Sequence, residues 1–281
     1  MTIDLGLVGR PERTRQWESY VRQIQGVSKV ILAGHVKDVQ ETSGCLILTD
    51  DEPTARIEEA IRAGLHCYAV APIPEDPTKA ARLEKLASEA GVQLLFAHWP
   101  TYAPTTRTMN QEMASPERLV TIRTDSAQET LDQTTRSRRF WMDEIGWILK
   151  MAPSPVHSLE AETLFGATLP HPGLQVRFQF HNGATGIFLH HPMGDQASHR
   201  RWLFRKDRLL DCDVLTQRLS RTLQQSNGNP LMESEWMDPS QTAILSIEQF
   251  LRAIQRQESF HFSIHDVVTN LNVIERIRRL I

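Results

Sequence analysis

Ile3-Asp4-Leu5-Gly6-Leu7-Val8-Gly9-Arg10-Pro11 is a short apolar run that ends on a glycine and passes into a proline. Proline suits the first turn of a helix, where its missing N–H has no partner to lose. Trp17, Val21 and Ile24 follow at helical spacing, and Gly26 is a plausible stop. The unit therefore reads strand, glycine, helix. It is repeated downstream: Lys29 to Ala33 and Cys45 to Leu48 read as strands. Asp50-Asp51-Glu52-Pro53 is a helix start, with acids where the helix dipole favours them, and Gly64 closes that helix. His66 to Val70, a helix from Asp76-Pro77 to Gly91, and Val92 to Ala97 complete the series. Strands alternating with helices predict a parallel, Rossmann-like sheet with right-handed crossovers.

Beyond Trp99 to Pro104 the pattern changes. Leu119 to Ile122 reads as a strand. Phe140 to Met151 reads as a helix with Trp141, Ile145, Ile148 and Leu149 on one side. Ser158 to Phe165, Leu174 to Phe180 and Ala184 to His190 read as strands, with Asn182-Gly183 as a tight hairpin between the last two. Arg201 to Phe204 leads through Lys206-Asp207 to Leu209-Leu210. Gln224 to Pro239 is polar and reads as a loop. Two helical runs, Ile244 to Ile254 and Ile264 to Ile277, end the chain. The predicted fold is α/β. A truncated Rossmann-like parallel sheet occupies residues 1–100, and an α/β domain with a largely antiparallel open sheet occupies 101–281. The last helices are free to pack back on the first domain.

Across 281 residues, 40% are apolar and 23% charged, enough to bury a core. The formal net charge of −3 gives no overall pull toward nucleic acid. The basic and aromatic run from His199 to Lys206 is read as a strand whose cations are exposed or paired. No apolar run reaches membrane-spanning length. The strand-like start, with no basic region or cleavage site before it, sets the expectation of a cytoplasmic protein. Cys45, Cys67 and Cys212 have no metal-ligand spacing, and neither do the histidines around His190, so no metal is expected. No P-loop, nucleophile elbow or H-E-x-x-H motif is present.

The residues resemble a known family. Ala63-Gly64-Leu65-His66-Cys67 is followed by Val70-Ala71-Pro72, then Ala87, Ala90, Gly91-Val92 and Ala97-His98. This run is similar to the "A-G-K-H-V", "E-K-P", "A-x-x-x-G-V" and glycine-histidine series of the glucose–fructose oxidoreductase / inositol dehydrogenase family. The Asp143 helix resembles that family's "H-x-x-D" helix. Phe180-His181-Asn182-Gly183-Ala184-Thr185-Gly186 resembles its "F-x-N-G-A-x-G" hairpin, and the Phe250 and Ser263 to Ile281 helices resemble its closing pair. The resemblance implies a Rossmann domain, a C-terminal sheet that often joins copies, and NAD or NADP chemistry on a sugar-like hydroxyl.

Against that pattern the chain departs at several working positions. Gly9 matches the first glycine of the phosphate loop, but Pro11 and Thr14 occupy the second and third. Arg10, Arg13 and Arg15 are left there, to hold an anion or to lie in solvent. Gly34-His35 stands where an acidic residue would hold the ribose, and only Val36 to Gly44 separates it from the next strand. At ~1.5 Å per residue that span is too short for a full connecting helix. Ala71 aligns with the lysine of "E-K-P", and Phe140 with the proton-relay histidine. Neither can move a proton.

The expectation is a degenerate member without conventional NAD(P) catalysis and with no cofactor, acting as a structural or regulatory subunit. Its partner would be itself or a catalytic paralogue, met through the C-terminal sheet, with neither nucleic acid nor membrane involved. Two alternatives stand beside it. One is an active oxidoreductase on a sugar-like or polyol substrate, holding NAD or NADP unconventionally, with His98, Tyr102 and Asp143 as candidate titratable groups. The other is a binder of a small anion through Arg136, Arg138 and Arg139, whose guanidinium forks suit carboxylate or phosphate.

Overall fold

The computed structural model describes residues 2–126, 133–152, 154–164, 173–224, 229–255 and 262–281. The chain divides into two compact units, Met1–Trp99 with Gln241–Leu271 and Pro100–Ser240 with Asn272–Ile281.

The first unit begins β1 (Ile3–Gly9), α1 (Pro11–Val21), β2 (Val27–Ala33), a 3-10 turn at Val36–Val39 and β3 (Gly44–Leu48). It continues α2 (Thr54–Arg62), β4 (His66–Val70), α3 (Pro77–Ala90) and β5 (Leu94–Phe96). The strands form one parallel sheet in the order β2-β1-β3-β4-β5. β3 is buried along its whole length, as its uninterrupted apolar run requires of a central strand covered on both faces. The short link after β2 indeed holds no α-helix. Its Val39 lies flat on β1, so that a Cβ on Gly6 would meet Val39 Cβ at 2.6 Å. The helix ends follow their chemistry. Asp76 caps α3 by accepting from the backbone N–H of Thr78 at 2.8 Å, and Gly91 ends it at φ +66°.

The second unit runs α4 (Trp99–Tyr102, whose first residue belongs to the first unit), α5 (Pro104–Glu112), β6 (Arg118–Ser126), α6 (Gln133–Met151), β7 (Val156–Leu164) and β8 (Gly173–Phe180). It continues β9 (Thr185–Gly194), β10 (Ser198–Arg205), β11 (Arg208–Asp213), β12 (Arg218–Gln224) and β13 (Pro230–Trp236). These eight strands form one sheet, β13-β12-β11-β10-β6-β9-β8-β7, with β6 and β9 parallel and every other neighbour antiparallel. The Asn182-Gly183 hairpin forms as read: Gly183 sits at φ +86° and Asn182 Oδ1 accepts from the Ala184 N–H at 3.1 Å.

Two readings need correction. The polar stretch taken as a loop contains β13, which pairs with β12 along Arg218↔Trp236 to Gln224↔Pro230. An edge strand need bury little, so its exposed Met232 and Trp236 leave no apolar alternation to read. The buried face of α6 carries Phe140, Met142, Glu144, Ile145, Trp147, Ile148 and Met151, whereas Trp141 and Leu149 are half-buried. A buried glutamate hid the true phase of that helix.

α7 (Thr242–Ile254) and α8 (Ile264–Arg278) close the chain. No helix among the described residues is long and apolar enough to cross a membrane.

Candidate functional site

In the first unit, strand order reverses at β1. β2 lies on one side and β3 on the other, and the crevice outside the carboxyl ends of such strands is where open α/β sheets bind ligands. A cavity of about 600 Å³ lies there, lined among others by Arg10, Arg13, Trp17, Tyr20, Asp50 and Trp99. Val70, the last residue of β4, forms part of its wall.

The start of α1 supplies the polar side. Arg10 takes the N-cap position in an extended conformation, without a side-chain capping bond, and Pro11 follows. Thr14 turns inward: its N–H donates to Arg10 O at 3.0 Å and its hydroxyl to Pro11 O at 3.1 Å. Arg13 crosses the cavity, pairing with Asp50 beyond β3 and donating to Val70 O at 3.3 Å. Aromatic rings supply the other side, with Trp17 6.1 Å from Trp99 and 5.8 Å from Tyr20 between centroids. Gly9, Arg10, Pro11 and Thr14 thus meet at one helix start, as read from the sequence. Gly9 has a reason of its own, however. A Cβ there would lie 2.4 Å from Leu48 O, so strand packing requires the glycine whether or not a phosphate approaches.

The remaining candidates are placed as follows. Ala71 directly follows β4, and Gly34 and His35 are exposed after β2. His98 is fully buried in the first unit, its ring stacked on Phe262 at 4.1 Å. Tyr102 is buried in α4, and Asp143 is half-buried on α6, both in the second unit. Arg136, Arg138 and Arg139 fall on the α6 backbone, and their side chains lie outside the described residues.

Phe140 is enclosed by Arg123 and Asp125, which the sequence did not single out, and by His190, which it weighed only as a metal ligand. The Arg123 guanidinium lies 3.0 Å from its ring centroid, and His190 meets its ring edge to face at 5.9 Å. His190 Nε2 is 2.9 Å from Asp125 Oδ2, and Arg123 Nε donates to Asp125 Oδ1 at 3.2 Å. Burial opposes charge on Asp125, but the bond from His190 and the Arg123 guanidinium outweigh it and hold the carboxyl below its usual range.

A second buried network joins α6 to the sheet. Arg201 donates twice to Glu144, at 2.5 and 2.9 Å, and also to Thr106 Oγ1 and Pro100 O at 2.9 Å each. Thr121 donates to Glu144 at 2.6 Å, and His199 Nε2 lies 3.0 Å from the same carboxylate. Arg201 and Glu144 have no exposed side-chain surface. Hence this part of the basic run is paired inside the core. Period-two alternation of His199, Arg201 and Leu203 was the available signal, since it puts all three on one face. Among the described residues, no group of three His, Cys, Asp or Glu side chains is placed to hold a metal.

Neither a protein-family model nor a curated protein matches the sequence. Solved structures do match. UDP-N-acetylglucosamine 3-dehydrogenase from Acidithiobacillus ferrooxidans is similar over 100% of this chain and 98% of its own, with a TM-score of 0.79 at 18% identity. An NAD-binding oxidoreductase from Klebsiella pneumoniae is similar over 100% and 97%, with a TM-score of 0.78 at 11% identity. A dehydrogenase from Chromobacterium violaceum is similar over 99% and 95%, with a TM-score of 0.75 at 14% identity.

These neighbours correct one expectation. The absence of a cofactor was argued from the missing glycines, the missing ribose carboxylate and the shortened link after β2, yet the fold is shared with dehydrogenases, one of them NAD-binding. Those losses remove one way of holding a dinucleotide but leave an arginine-lined crevice, which is a second way. The chain has the fold of these dehydrogenases, a Rossmann-like parallel sheet followed by a largely antiparallel one, as its resemblance to the glucose–fructose oxidoreductase / inositol dehydrogenase family implied.

Proposed function

We propose that this chain is an oxidoreductase-fold protein that holds a nicotinamide nucleotide, NAD or NADP, in the crevice beside α1, and that lacks the family's proton-transfer groups. One observation carries the reading: a cavity of about 600 Å³ at the strand-order reversal, where two arginines meet an aromatic wall. That volume lies within the usual range of ligand sites. The residues fit the group through Arg10 and Arg13 for phosphate and through Trp17 and Trp99 for a planar ring. The fit does not use a glycine loop, because Pro11 offers no N–H and Thr14 is turned into the helix. A bound nicotinamide would supply hydride chemistry. Ala71 and Phe140 supply no proton acceptor, so the chain is read as a cofactor-holding subunit rather than a self-sufficient dehydrogenase.

Thermal-shift titrations with NAD, NADH, NADP and NADPH test this. Ligand at 100 times its dissociation constant is expected to stabilise by about 2.7 kcal/mol. No shift with any of the four at millimolar concentration sinks the nucleotide reading. Turnover of a polyol or sugar nucleotide sinks the non-catalytic part.

The second sheet supports self-association. Val120, Ile122, Ile187, Leu189, Trp202 and Phe204 are half-buried and adjacent by register on one face, opposite the residues that pack under α6. An apolar face of this kind suits a second copy. Sedimentation should show a dimer that Trp202→Glu converts to monomer, and a monomeric wild-type chain overturns the idea.

A further inference from the structure

We propose that Asp50 is a built-in competitor for the crevice: its carboxylate holds Arg13 in the free protein, and a phosphate group must displace it to bind. This rests on the nucleotide reading of the same crevice and adds how entry is controlled. Arg13 stands in the first turn of α1, yet its guanidinium does not extend into solvent. It reaches across to Asp50 and to Val70 O, and all three residues line the cavity. Its fork, which could grip a phosphate bidentately, is spent on one carboxylate oxygen and one carbonyl. The Arg13 side chain is only 26% exposed, whereas that of Asp50 is 79% exposed. An exposed carboxylate adds little to the fold through such a pair. Its effect falls on the ligand instead, because it occupies the cation and repels an incoming anion.

The surrounding charges decide who wins. Arg10 and Glu12 also line the cavity, and among the described residues neither forms an ion pair. The start of α1 has no side-chain cap and presents the positive end of the helix dipole to the same space. A monovalent carboxylate merely exchanges with Asp50. A phosphate or pyrophosphate carries more charge and more acceptor oxygens, so it engages Arg13, Arg10 and the helix start together. The device therefore selects phosphate esters over simple organic acids.

Titrations of the full chain with NADPH and with inorganic pyrophosphate, read by calorimetry, test this in four proteins: wild type, Asp50→Asn, Arg13→Gln and the double variant. Asp50→Asn is expected to bind both probes about fivefold more tightly, the size an exposed ion pair can return, with an unchanged melting temperature. Arg13→Gln is expected to weaken binding, and in its background the Asp50 change is expected to give no gain. Weaker binding by Asp50→Asn would make Asp50 a ligand contact and overturn the proposal. An equal gain with and without Arg13 would reduce it to long-range charge and overturn it too. Wild type and Asp50→Asn both failing to bind NADPH while binding pyrophosphate would remove the nucleotide reading but leave the competition standing. Neither probe binding to either protein would remove both.

Discussion

Glu144→Ala is expected to destabilise the second unit by about 3–5 kcal/mol, the cost of breaking a buried ion pair and leaving one charge behind. Arg201 is fully buried, and its two strongest bonds go to Glu144. With the carboxylate gone, Thr106 and Pro100 O still accept from the guanidinium, but among the described residues no other ion pair of Arg201 remains. The companion variant separates charge from packing: Glu144→Ala combined with Arg201→Met should recover part of the loss, because an apolar pair leaves nothing unpaired. Urea denaturation reads both. A double variant no more stable than the single one would show that shape, not charge, governs the site.

The same network sets a pH dependence. Burial opposes charge on Glu144, but Arg201 and His199 outweigh it and hold the carboxyl well below its usual range. Its contribution is present above the unfolded value near 4.3 and is lost as pH falls through the lower folded value. His199 is pushed down by burial, against the pull of Glu144. A histidine kept neutral in the fold loses to an unfolded chain that takes up a proton below pH ~6.5. Stability should therefore decline first from pH ~6.5 downward, through His199, and again at lower pH through Glu144. His199→Gln should flatten the first decline, and an unchanged profile would contradict this account.

Gly9→Ala is expected to cost the first unit about 3 kcal/mol, at the upper end for overpacking. The added Cβ would sit 2.4 Å from the Leu48 carbonyl oxygen, and a backbone atom of a central strand cannot swing away as a side chain can. β1 and β3 would have to separate along Leu5↔Gly44 to Gly9↔Leu48. Calorimetry of the variant without ligand is the measurement. A melting temperature within a degree of wild type would mean that the strands give more readily than their hydrogen bonding allows. The result also bears on how the sequence is read, because a glycine that matches a phosphate loop is here required by strand packing alone.

Much of the parallel sheet could be read residue by residue. Each of its strands is bounded by chemistry with a local cause: Gly9 and Pro11, Asp50 to Pro53, Gly64, Asp76-Pro77, Gly91. The hairpin at Asn182-Gly183 was legible for the same reason, since its positive φ is a property of the residue itself. β13 was not, because edge strands need no apolar alternation, and the phase of α6 was hidden by a glutamate that only a buried arginine can tolerate. Candidate sites followed the same division. The helix start at Gly9 to Thr14 came from adjacent residues, whereas Asp50, Trp99 and Ala243 reach the cavity from distant parts of the chain.

Local order, then, was written into neighbouring residues: strand and helix limits, turns and the shortened link after β2. Pairings between distant residues were not, among them Arg13 with Asp50, Arg201 with Glu144 and His190 with Asp125. The physical reason is that a turn or cap depends on the conformational preferences of a few consecutive residues. A buried charge is tolerable only beside its partner, and which partner arrives is settled when the sheets close and water leaves.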